Sequence, residues 1–266
     1  MPQVNGRQGE WRRQNSTAIC ERFPTFALSD LMGKNKLAHF AEMKVLRCAI
    51  EPEKEEYIPG RHSLSGNWGK DFFGNDNPIT LELGCGKGEY AIALARKYPD
   101  RNFIGVDVKG ARLWRGCKTV EEEGLPNVAF LRIRIEFVHH FFHPGEVEHI
   151  WLTFSDPQPK DKKETKRLSG KHFLRRYAKF LAPGGRVHLK TDSSFLYHAT
   201  HETIAKGEHC LLFDTADLYG EGLERLDADR RDLLQVKTFY EQKFLAQNKP
   251  IHYLCFTLND RLNKNI

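Results

Sequence analysis

The sequence predicts an α/β domain built on a mostly parallel, seven-stranded sheet with helices on both faces, and three observations predict it. From Pro78 onward, short apolar runs alternate with stretches of helical period, the pattern of repeated βα units. A glycine-rich turn, Gly84-Cys85-Gly86-Lys87-Gly88, joins the first apolar run to the first helical stretch, and an acid, Asp107, closes the second run. With 266 residues, 40% of them hydrophobic and 11% aromatic, the chain can bury the core that such a sheet needs.

The elements follow in order. ITLEL (79–83) is the first strand; GEYAIALARKY (88–98) sets Tyr90, Leu94, Ala95 and Tyr98 on one helical face. FIGVDV (103–108) is the second strand, with a helix after it to about Glu123, and VAFLR (128–132) and HIWLTF (149–154) are the third and fourth. A helix over Gly170–Leu181 leads through the Pro183-Gly184-Gly185 turn to RVHLKT (186–191), the fifth strand. Then come a helix over Phe195–Lys206, the strand CLLFDT (210–215), a helix starting near Thr238 and the strand IHYLCFTL (251–258). Ahead of this core, at 78–266, residues 32–77 mix acids, Pro and Gly without a clear period and read as a loosely packed lead-in to the same domain. Residues 1–31 are polar and aperiodic and read as a flexible tail.

Charge is unevenly spread. Residues 156–179 hold nine Lys or Arg against three acids, a surplus equal to the formal +6 of the entire chain. Such a concentration is the footprint expected for a polyphosphate partner. No run approaches the length of a membrane span, residues 1–31 lack a signal-peptide core, and the six cysteines are scattered without zinc-ligand spacing. A cytoplasmic protein with reduced thiols and no metal site is expected.

The glycine turn and its neighbours identify a cofactor site. The pattern is ExGxGxG, from Glu82 through Gly84 and Gly86 to Gly88, with Asp107 closing the second strand where an acid can accept hydrogen bonds from ribose hydroxyls. A carboxylate ahead of the glycines suits a ligand with a cationic amino-acid end and sits badly beside a pyrophosphate. S-adenosyl-L-methionine is such a ligand. Asp156 follows the fourth strand directly, so topology puts it at the same carboxyl edge, and Pro157 and Pro159 stiffen its loop.

LELGCGKGEY (81–90), FIGVDVKGARLWRG (103–116), DPQPK (156–160) with its basic run, LKTD (189–192) and TFYE (238–241) together resemble the bacterial tRNA (guanine-46-N7)-methyltransferase family. The resemblance implies a Rossmann-like class I methyltransferase fold with an antiparallel last strand, S-adenosyl-L-methionine as cofactor and tRNA as partner. It also implies a methyl group carried to N7 of guanine in the variable loop. Residue by residue, it implies that Glu82, Gly84, Gly86, Gly88, Asp107, Arg134 and Asp156 meet the cofactor and that Asp156 is the catalytic carboxylate. Lys160, Asp192, Thr238, Phe239, Tyr240 and Glu241 match substrate-binding positions. Lys162, Lys163, Lys166 and Arg167 are the expected phosphate contacts.

Two positions depart from the family. Gln158 stands where the family usually has an aromatic ring, and Arg134 where it usually offers Asp or Asn to the adenine. The resemblance begins near Met32, which leaves two readings of residues 1–31: a segment upstream of the native start, or an RNA-binding arm. Competing functions are a class I methyltransferase acting on another RNA, and an RNA-binding module with a vestigial pocket.

Overall fold

The computed structural model describes residues 37–259. Eight strands form one sheet: β1 (Ala49–Ile50), β2 (Ile79–Leu83), β3 (Asn102–Asp107), β4 (Val128–Arg132), β5 (Val147–Thr153), β6 (Leu181–Thr191), β7 (Cys210–Thr215) and β8 (His252–Thr257). Their spatial order is β1-β4-β3-β2-β5-β6-β8-β7, with β8 antiparallel between β6 and β7 and all other neighbours parallel. The seven expected strands are present. The two-residue β1, too short to leave a period in the sequence, adds an eighth beside β4.

Each strand divides its residues between two layers because side chains alternate across the pleat. Ile79, Leu81, Leu83, Ile150, Leu152, Val187 and Leu189 face α3 (Lys171–Tyr177) and α4 (Ser194–Lys206). On the other face, Phe103, Trp151 and Tyr253 pack against α1 (Glu89–Lys97), α2 (Gly110–Glu123) and α5 (Ala228–Leu234), with α6 (Phe239–Leu245) at its border. That second face also receives the polar residues of the strands: Glu82, Thr153, His188 and Lys190 are all buried.

Three expectations need correction. The helix foreseen over Gly170–Leu181 stops at Tyr177, and Pro183 to Gly185 lie inside the long β6, where pairing with β5 shifts register and Gly184 takes φ +73°. The lead-in is not loosely packed: Trp68, on a π-helical turn (Trp68–Phe73), is fully buried and donates its indole N–H to the Phe141 carbonyl at 2.8 Å. Burying an aromatic side chain of this kind stabilises by about 2–3 kcal/mol, so this segment belongs to the core. The tail at 1–31 lies outside the described residues.

Candidate active site

The glycine turn bends sharply at the carboxyl end of β2. Gly84, Gly86 and Gly88 all have positive φ (+78°, +60° and +70°), but they are glycines for different reasons. A Cβ on Gly88 would stand 2.2 Å from Cε1 of Phe130, so the third glycine lets α1 pack on the sheet. At Gly86 nothing lies within 4 Å, and at Gly84 only the Ile135 and Leu168 methyls come within 3.9 Å. These two leave bare backbone facing open space, where a ligand can lie against the chain.

Two acids hold this turn in shape. Glu82, buried beneath it, accepts from the Ala91 amide in the first turn of α1 (3.0 Å) and from the Thr153 hydroxyl at the end of β5 (2.6 Å). Burial pushes its carboxyl up to about 7, against the lowering effect of those two hydrogen bonds. Asp107 accepts from the Gly86 amide with one oxygen (2.9 Å) and from the Lys109 amide with the other (2.9 Å). Each oxygen keeps a free lone pair, so the carboxylate can still take hydroxyl donors.

Over the turn lies a cavity of about 790 Å³. Its walls bring together Glu82, Gly84, Gly86, Asp156, Asp192, Thr238, Phe239 and Tyr240, all named from the sequence as candidates. A second hollow of about 480 Å³ shares Gly84 and Leu168 with it and is walled by Asp107, Ile133, Arg134, Ile135 and Glu136. Together they form a two-lobed cleft along the carboxyl edge of β2, β3 and β4. The Arg134 guanidinium reaches the second lobe, exposed and paired with Glu136 at 3.1 Å.

Asp156 stands on a strained loop. Phe154 and Gln158, neither of them glycine, both have positive φ (50° and 46°), at a cost of roughly 1–2 kcal/mol each. The Gln158 amide donates to the Asp156 carboxylate at 3.1 Å, the Arg167 guanidinium donates to the Gln158 carbonyl at 3.0 Å, and the Phe154 amide donates to the Lys190 carbonyl at 2.9 Å. Strain plus three anchors fixes the direction of a solvent-facing carboxylate.

The other foreseen residues separate into distinct structural settings. Lys160, Lys162, Lys163 and Lys166 are exposed around a 3₁₀ stretch (Asp161–Lys166); of these only Lys166 lines the cleft, in its second lobe. Arg167, expected with the phosphate contacts, instead braces the Gln158 carbonyl and lies 4.8 Å over the Phe195 ring. Asp192 faces the cavity and pairs with Lys249 at 3.5 Å. Thr238 and Glu241 cap α6 reciprocally, and Glu241 is fully buried against Lys190 (2.6 Å) and the Tyr219 hydroxyl (2.6 Å). Glu241, expected to touch substrate, therefore holds α6 in place, while Phe239 and Tyr240 are 61% and 51% exposed at the rim.

Sequence reasoning passed over Tyr90, Arg112, Phe154, Leu168, Ser193 and Phe244, which also line the cavity. Arg112 and Ser193 carried a readable signal, since each follows within five residues of an acid closing a strand or strand end, Asp107 or Asp192. Among the described residues no cluster of His, Cys, Asp and Glu could hold a metal ion, and no helix is long and apolar enough to cross a membrane.

The sheet order with its reversed last strand, the glycine turn and the acid closing β3 define a Rossmann-like methyltransferase of class I. Residues 76–254 match the family described as "Putative methyltransferase". More narrowly, the chain belongs to the tRNA (guanine-N7)-methyltransferase family. It is 45% identical to the member from Christiangramia forsetii, over 85% of this chain and 98% of that one. Identity to the Bacteroides thetaiotaomicron member is 47%, over 85% and 87%, and to the Bacillus subtilis member 34%, over 70% and 83%. Among solved structures, the 16S rRNA methyltransferase KamB matches with a TM-score of 0.50 at 14% identity, covering 69% of this chain and 88% of that one, a likeness of fold.

Proposed function

We propose that this protein transfers a methyl group from S-adenosyl-L-methionine to N7 of guanine 46 in the variable loop of tRNA, in the cytoplasm. The observation that carries the reading is that the bare glycine turn and Asp156 open into one cavity, with a run of exposed lysines beside it.

The residues present suit the cofactor. Gly84 and Gly86 leave a cradle that Cβ atoms would narrow, and the acids around it, Asp107, Asp156 and Asp192, favour a cationic ligand over a pyrophosphate. When bound, S-adenosyl-L-methionine supplies an electrophilic methyl group on a sulfonium. Asp107 is suited to ribose hydroxyls, and Arg134 with Glu136 borders the lobe left for the adenine. Gly88 and Glu82 act from behind, by letting α1 seat and by tying the turn to β5.

Guanine N7 carries an in-plane lone pair and no proton, so no general base is needed to make the nucleophile. What the chain must supply is alignment and charge balance. Asp156, preset by its strained loop, can accept from guanine N1–H and the exocyclic amino group, which selects guanine and offsets the positive charge that the ring gains. Asp192 is its partner across the cavity. Phe239 and Tyr240 offer rings for stacking at the rim, and Lys160, Lys162, Lys163 and Lys166 offer cations to the surrounding phosphates.

Asp156→Ala tests the assignment. Its turnover should fall about 10²–10³-fold, the loss typical of a preorganised electrostatic group, with affinities for cofactor and tRNA nearly kept. A fully active variant removes Asp156 from the mechanism.

A further inference from the structure

The lysine run after β5 belongs to the layer of α3 and α4: Lys166 and Phe173 line the same lobe of the cleft, and Phe173 and Leu174 pack on that face of the sheet. A second basic feature, which the sequence did not single out, stands over the opposite face. It is a hollow of about 420 Å³ between α1, α2 and the start of α6, lined by Lys87, Glu89, Arg96, Arg115, Lys237 and Phe239 among others. Its cations come from the glycine turn, α1, α2 and the approach to α6, so no stretch of sequence displays them as a run.

The charges of this hollow are largely uncommitted. Arg96 is spent on Glu123, which it meets with two guanidinium nitrogens. The one carboxylate of the lining, Glu89, accepts from the Phe239 amide at 2.9 Å and so fastens α6 to α1. Lys87, Arg115 and Lys237 are exposed and form no ion pair among the described residues; Lys237 lies 4.6 Å over the Tyr219 ring. Three exposed cations around one concavity, against a single carboxylate that already holds the Phe239 amide, leave a positive surplus that fits a phosphate-bearing ligand.

The hollow is also continuous with the active-site cavity. Lys87, Glu89 and Phe239 line both, and Arg112, one turn of α2 before Arg115, lines the cavity side. The exposed ring of Phe239 borders both, with that of Tyr240 beside it on the cavity side. Cations on either side of a pair of exposed rings are the arrangement that grips a nucleic-acid strand and stacks its bases.

We infer that this hollow is a second phosphate-binding subsite for RNA, so that the substrate backbone crosses the cleft and is held on both faces of the sheet. This rests on the tRNA reading above and deepens it. With the backbone held on both sides, a guanine between them is presented to Asp156 from a strained, locally opened strand, which a grip on one side would not enforce.

The test is the salt dependence of tRNA binding for wild type, Arg115→Gln/Lys237→Gln, Lys162→Gln/Lys163→Gln and Lys70→Gln. Lys70 is an exposed cation on the π-helical turn that lines neither the hollow nor the cleft, and serves as the control for simple loss of charge. Each lost phosphate contact makes the log–log salt slope shallower by about 0.7–0.9. Arg115→Gln/Lys237→Gln should therefore flatten it by about 1.4–1.8 and weaken binding about tenfold at 0.15 M salt, with cofactor affinity and melting temperature unchanged. An unaltered slope, or an equal change per charge in Lys70→Gln, overturns the proposal. Methylation of tRNA by the wild type, measured in parallel, separates the two claims: without it both fall, and with it an unaltered slope sinks this one alone.

Discussion

Replacing Lys190 by Met probes the tie between the sheet and the segment that borders the cleft. The Lys190 side chain is fully buried; its ammonium meets Glu241 at 2.6 Å and the Leu234 and Val236 carbonyls at 3.0 and 3.1 Å. Burial lowers its pKa while Glu241 opposes the shift, so the charge is held by its partner. Met fills nearly the same volume without the charge, stranding a buried carboxylate and two carbonyls. Breaking a buried pair from one side costs about 3–5 kcal/mol. At about 2–4 °C per kcal/mol for a domain of roughly this size, melting should fall by roughly 6–20 °C. Urea unfolding supplies the matching free energy. Lys190→Met/Glu241→Leu should recover much of that loss, because an apolar pair needs no counterion. Yet α6 then lacks its capping box, so the KM for tRNA should rise while cofactor affinity holds. Melting within 2 °C of wild type for Lys190→Met, or a double variant no better than the single, refutes the reasoning.

Two further outcomes concern the glycine turn. Glu82 has a folded pKa of about 7, raised above its ordinary value, so the native state binds the extra proton and stability should decline as pH rises from about 4.5 to 7. At 1.36 kcal/mol per unit this amounts to about 3 kcal/mol; Glu82→Gln should flatten that part of the stability–pH curve, and an unchanged slope counts against it. Gly88→Ala must displace the Phe130 ring and hold Ala in a left-handed conformation, costing about 2–4 kcal/mol. Gly84→Ala, with its nearest atoms at 3.9 Å, should cost only about 1–2 kcal/mol yet weaken cofactor binding, so calorimetry and melting curves should rank the two variants oppositely.

Apolar runs made the sheet legible, because strands buried on both faces are written as continuous Val, Ile, Leu and Phe. What escaped was short or polar. The two-residue β1 has no period, and α5 reads ADRRDLL, whose sole fully buried side chain, Leu234, leaves no amphipathic stripe. Trp68 was passed over because the residues around it are Gly, Lys, Asp and Asn, and its burial depends on Phe141 and Phe142, more than seventy residues away.

At the site, sequence gave residue identity more readily than orientation. TFYE was taken as one substrate-binding unit, but helical geometry turns Glu241 inward to Lys190 and leaves Phe239 and Tyr240 outward. In the same way Arg167, one cation among several in the basic run, proves to brace the loop of Asp156, which only the fold could bring nine residues back to it. The hollow of Lys87, Arg115 and Lys237 was invisible for a related reason: its cations are spread over 150 residues of chain.

The central claim is tested most directly by incubating the protein with labelled S-adenosyl-L-methionine and unmodified tRNA, then analysing the nucleosides beside a tRNA whose guanine 46 is replaced by adenine. The account predicts N7-methylguanosine in the first tRNA and no label in the second. Label that persists without guanine 46, or a methyl group on any atom other than N7, would contradict it.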